Sequence, residues 1–131
     1  GGITTVSQAA AVAALEGPQD FLKERLAEYA KRRDMAVAML REAPGISCHT
    51  PEGAFYVFPN INQCLGKTSR GNRKIVTDAD FVTALLEEQH VASVQGTAYG
   101  VSGYFRISYA TDMANLIEGC RRIKEFCEGL H

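Results

Sequence analysis

The chain has no apolar run long enough to cross a bilayer. It has no excess of charge, at a net of −1, so nothing in its field favours nucleic acid or an anionic membrane. It has no C-x-x-C pair, which argues against a zinc knuckle or a dithiol redox motif. Its histidines, His49, His90 and His131, form no ligand pattern, and no metal is expected. The opening GGITTVSQ has no basic segment ahead of an apolar core, so it does not read as a secretory signal. There is no internal repeat and no low-complexity segment. There is also no initiating methionine. The chain starts inside a stretch that reads as structured, and it is expected to be a piece of a longer protein.

What remains is ordinary globular material. With 131 residues, 46% hydrophobic and 22% charged, the chain can bury a core of its own. Cys48, Cys64, Cys120 and Cys127 are expected to be reduced and mostly buried, as in a cytoplasmic protein. Cys120 and Cys127 should share a helix face, too far apart for a bridge.

Apolar spacing sets the order of elements. Residues 4–15 are Ala-rich and read as a short helix ended by Gly17-Pro18. Residues 18–42 follow as a long helix with Phe21, Leu22, Leu26, Tyr29, Val37 and Leu40 on its apolar stripe. Residues 46–49 and 54–58 read as two strands of a hairpin around the turn Thr50-Pro51-Glu52-Gly53. Residues 60–76 carry Lys67, Arg70, Arg73 and Lys74 and read as a solvated basic loop. Gly66-Lys67-Thr68 echoes a phosphate-binding loop, but Ile61 stands where that motif needs its first glycine. Thr77 caps a helix that ends near His90 and buries Phe81, Val82, Leu85 and Leu86. Residues 91–94 are a short strand. Thr111 caps a last helix with Leu116, Ile117, Cys120, Ile123 and Phe126 inward, and Gly129 closes it. The fold class is α+β: a small antiparallel or mixed sheet of about four short strands covered by helices.

The stretch 96–110, GTAYGVSGYFRISYA, holds the most chemistry. Its glycines at 96, 100 and 103 make a loop that a ligand can approach. Arg106 then sits in a strand among apolar and aromatic residues. An unpaired buried charge is costly, so this arginine needs a partner. A planar guanidinium grips a carboxylate in two-pronged fashion. By residue pattern alone, an arginine at the sheet edge that reaches water or a protein acid is the commoner arrangement. A bound carboxylate is the alternative.

Three motifs occur in order: Pro51-Glu52-Gly53-Ala54-Phe55-Tyr56, then Val91-Ala92-Ser93-Val94 with Gly96-Thr97-Ala98-Tyr99-Gly100, then Gly103-Tyr104-Phe105-Arg106-Ile107-Ser108-Tyr109-Ala110. Together they resemble the C-terminal part of class I aminotransferases, pyridoxal-phosphate enzymes of fold type I and of the aspartate aminotransferase kind. The likeness covers nearly the whole chain. It implies that Arg106 binds the substrate α-carboxylate, that Tyr99 lies beside the substrate, and that Gly96 and Gly100 shape the loop. It implies amino-acid and 2-oxo-acid substrates, pyridoxal 5'-phosphate in the full-length enzyme, and a homodimer. Residues 1–42 would be connecting helices leading from a large cofactor-binding domain, and 43–131 the C-terminal small domain.

The family's cofactor-binding lysine belongs to a motif that this sequence does not contain. Lys23, Lys31, Lys67, Lys74 and Lys124 lie outside any such context. No catalytic residue is therefore assigned here, and the segment alone is expected to be inactive. Two other readings stay open: a stand-alone α+β binding or regulatory module, and the small domain of a lyase or decarboxylase of the same fold type.

Overall fold

A computed structural model describes residues 19–51 and 55–131. The expected helix at 4–15, the segment leading into it and the Glu52-Gly53 half of the turn lie outside the described residues. Helix α1 spans Gln19–Arg41, within one residue of expectation at either end. Among its residues 22–41, those closely packed are Ala36, Val37 and Leu40. Leu26, expected on the buried stripe, is 55% exposed.

Among the described residues the sheet has three strands in the order β1-β3-β2, both pairs antiparallel: β1 is Tyr56–Val57, β2 Val94–Gln95 and β3 Phe105–Ser108. It is one strand smaller than expected. The expected strand at 46–49 survives as a single bridge, Ser47 to Asn60, and the expected hairpin does not form. Tyr56 and Val57 use their ladder positions on Ser108 and Ile107 of β3 instead.

Helix α2, Asp78–Gln89, begins as expected at Thr77, which shares a capping box with Asp80. His90 ends it in the left-handed region at φ 58°. Helix α3, Met113–Glu128, is capped by Asp112 rather than Thr111. The Asp112 carboxylate accepts the Asn115 N–H at 2.8 Å, a geometry that places it one residue before the first helical turn. Leu86 and Ile117, both expected in the core, are 48% and 43% exposed. Each stands one residue beyond its stripe, which a helix turns by about 100°.

Helices α1, α2 and α3 meet the sheet in one core. Phe81 of α2 packs on Phe105 of β3 at 5.1 Å and on Phe126 of α3 at 5.2 Å. All four cysteines are free and buried. Strand β3 alternates: Phe105 and Ile107 point into the core, Arg106 and Ser108 are half-buried on the other face. That open face is where the site forms.

The stretch 60–76 is more structured than a solvated loop. Ile61, Cys64, Ser69 and Ile75 are buried. Its backbone closes on itself through Gly66 to Ile75 at 2.6 Å and Ile75 to Lys67 at 2.8 Å. The Ser69 hydroxyl and the Gly71 N–H both donate to Glu88 of α2, and Thr68 exchanges backbone hydrogen bonds with His131. The charges that looked like a basic patch are partly used internally, Arg73 on Glu87 and Arg70 on Glu125.

Candidate carboxylate site

Strand alternation and register build the site. Arg106 lies opposite Val94 on β2, and Tyr56 lies opposite Ser108 on β1. All four share the face that the core does not use. Tyr56 is thus the diagonal neighbour of Arg106, within reach of its side chain. The guanidinium carbon lies 3.9 Å from the centre of the Tyr56 ring and 4.5 Å from that of Tyr99. Phe58 in turn meets Tyr99 edge-on at 6.1 Å.

Cation–π contacts use the faces of the rings and leave the in-plane N–H groups of the guanidinium as donors. Among the described residues no carboxylate forms an ion pair with Arg106. The protein acid of the commoner arrangement is not found among the described residues. Beside it opens a cavity of about 210 Å³, lined by Arg106, Tyr56, Ser93, Val94 and Ser108 among others. The buried Ser93 hydroxyl oxygen has no hydrogen-bond partner among the described residues. A partly apolar cavity with one cation and an unsatisfied hydroxyl suits a small anionic molecule with a second polar group.

The loop at 96–103, termed the rim loop, carries Tyr99 against Arg106. It begins with a short 3-10 turn, Gly96–Tyr99. A Cβ on Gly96 would come within 2.2 Å of the Val101 carbonyl oxygen, so the chain closes there only with glycine. Gly100 takes φ 79° and returns the chain toward β3. Asp78, at the start of α2, holds this loop. Its carboxylate accepts the Thr97 N–H at 3.0 Å, the Thr97 hydroxyl at 2.7 Å and the Gly103 N–H at 3.1 Å.

Of the residues expected at the site, Tyr99 lies against Arg106, and Gly96 and Gly100 lie in the loop that carries Tyr99. Tyr56 and Asp78 were not among those expected. Tyr56 stood in a quoted motif with no role attached. Asp78, next to the cap Thr77, has no signal in the sequence that sets it apart. A larger concavity of about 490 Å³ lies between α1 and residues 110–112 and holds none of the expected site residues. Its acid Glu28 is already matched by Lys31 at 3.4 Å and Arg32 at 4.0 Å.

The sequence profile described as "Aminotransferase class I and II" matches residues 2–123, and the chain belongs to that family. It is 53% identical over 126 residues to the aspartate/prephenate aminotransferase of Cereibacter sphaeroides, covering 96% of this chain and 32% of that protein. Among solved structures, the aspartate aminotransferase of Rhizobium meliloti is similar at 50% identity and a TM-score of 0.87, over 96% of this chain and 32% of that one. A PLP-bound relative from Clostridium difficile 630 is similar at 25% identity and a TM-score of 0.71, over 86% of this chain and 27% of that one. The chain spans about a third of the length of the curated relatives it matches.

Proposed function

We propose that this chain is the carboxylate-binding part of an aminotransferase that moves an amino group between an amino acid and a 2-oxo acid. One observation carries the reading. In a chain of this family, Arg106 lies against two tyrosine rings at the edge of a cavity, without an acid of the described residues to neutralise it. An in-plane pair of N–H donors then receives the substrate carboxylate. The rings limit how the guanidinium can tilt, and that fixes the orientation of the bound amino acid. Arg106 is half-buried on its strand, which strengthens the ion pair.

Pyridoxal phosphate is the cofactor in this reading, supported by the family and by the PLP-bound relative. When bound, it supplies the carbonyl that takes up the amino group and the electron sink for the chemistry. The residues around Arg106 do not suit its anchoring. Lys23, Lys31, Lys67, Lys74 and Lys124 are absent from the cavity lining, so no amine is offered there. The anchoring lysine then belongs to the rest of the protein, and this segment alone is inactive. Residues 1–42 are the connection to that remainder and 43–131 the small domain. A homodimer in the cytoplasm completes the proposal.

The names of the curated relatives make aspartate the first amino donor to try and prephenate the first acceptor. In the full-length protein loaded with pyridoxal phosphate, transamination between them should be measurable. Arg106→Ala should lower kcat/KM by ~2–5 kcal/mol, the cost of leaving one partner of a desolvated charge pair alone. An unchanged kcat/KM would refute the clamp.

A further inference from the structure

Asp78 is 2% exposed and shares that degree of burial with one other polar residue, Ser69, among the described residues. Helix α2 does not use it as its cap, because Thr77 and Asp80 form the capping box there. Every hydrogen bond described above for its carboxylate leads out of the helix, to Thr97 and to Gly103. Those two residues bracket the rim loop on either side of Tyr99. Burying a carboxylate is costly unless donors meet it, and here all the donors belong to the loop. Tyr99 itself is 48% exposed and meets Phe58 edge-on, so the place of its ring also depends on the loop that carries it.

We propose that Asp78 is a positioning residue for substrate: through Thr97 and Gly103 it holds the rim loop so that Tyr99 stays against Arg106. The inference rests on Arg106 being the carboxylate clamp. With the tether in place, the guanidinium has a ring at 3.9 Å and another at 4.5 Å and presents its donors in one orientation. With the tether cut, the second ring is free to move away. Arg106 then samples orientations that do not match a carboxylate. The ligand class is therefore the small carboxylic acid that Arg106 receives, and Asp78 acts on it without touching it.

The test uses the full-length enzyme with its cofactor and varied aspartate. Asp78→Asn keeps the shape of the side chain but turns an amide N–H₂ toward the loop's donors. Thr97→Val removes the hydroxyl donor alone and serves if Asp78→Asn does not fold. Each is made with and without Arg106→Ala. Asp78→Asn should raise KM for aspartate about tenfold and leave kcat within about threefold. Thr97→Val should raise KM by a smaller factor, about threefold. Neither should raise KM further once Arg106 is alanine, because coupled residues are not additive. Three results overturn the role of Asp78 while leaving the clamp intact: no change in KM from either variant, a loss in kcat alone, or the same rise in KM with and without Arg106. If Arg106→Ala itself leaves KM unchanged, the clamp fails and the role of Asp78 falls with it.

Discussion

Arg106 and Tyr56 meet across two strands, with the guanidinium carbon 3.9 Å from the centre of the phenol ring. The contact is a consequence of register. Tyr56 pairs with Ser108, two residues from Arg106 on the same face of the sheet. A cation against an aromatic face in a partly desolvated place contributes roughly 0.5–2 kcal/mol. Its larger effect is orientational, because a stacked guanidinium loses its freedom to tilt.

Replacing Tyr56 should therefore weaken binding of a carboxylic substrate. In the full-length enzyme, Tyr56→Leu is expected to cost about 1–2 kcal/mol of amino-acid binding, measured as a rise in KM or in the Kd of a non-reacting carboxylate. Tyr56→Phe keeps the ring and should stay within about 0.5 kcal/mol of wild type. A large loss in the phenylalanine variant would mean that the hydroxyl, not the ring, matters.

Local signals carried much of this architecture. Thr77 with Asp80 three residues on is a capping box readable from spacing, and α2 begins there. Phe105-Arg106-Ile107-Ser108 was expected as strand, and β3 forms there with Arg106 on a different face from its neighbours. What failed depended on distant pairings. The hairpin at 46–58 looked sound locally, yet β1 finds its partner in β3, about fifty residues later. The contact of Tyr56 with Arg106 follows from that same register and was hidden with it. Asp78 lies 19 and 25 residues from its two partners in the loop, beyond the reach of any periodicity. The loop at 60–76 was misjudged for a related reason. Its polar composition is real, but Glu88 and the C-terminal His131 supply partners that composition does not reveal.

The start of α2 should register in the acid limb of stability. The Asp80 carboxylate accepts backbone N–H groups from Thr77 and Val76, each at 3.0 Å. The hydrogen bond from Thr77, then that from Val76, hold its carboxyl below the ordinary value of 3.8. A depressed folded value means stability that is fully present above the ordinary value and is lost as pH falls through the folded one. The gap between wild type and Asp80→Asn should thus be widest near neutrality and should narrow below about pH 4. Thr77→Ala should cost about 1 kcal/mol near neutrality by removing the other half of the box. Denaturant titrations across pH measure both. Parallel curves for wild type and Asp80→Asn would show that the carboxylate is not the titrating group.

Cys48, Cys120 and Cys127 should behave as packing residues rather than as nucleophiles. Burial pushes the Cys48 thiol up to about 11, with nearby Arg41 opposing, and the Cys120 thiol up to about 12. Cys127 is raised as well, by its hydrogen bond with Cys64 and by burial. Since the thiolate is the reactive form, thiols raised in this way stay protonated near pH 8. Burial blocks access on top of that. A short pulse of iodoacetamide on the folded full-length protein, followed by peptide mapping, should leave Cys48, Cys120 and Cys127 unmodified. The same pulse in guanidinium should alkylate all three. Labelling of Cys120 in the folded protein at the unfolded rate would mean that α3 opens readily. Such opening would expose the contact between Phe126 and Phe81, and through Phe81 the support under β3 that Arg106 depends on.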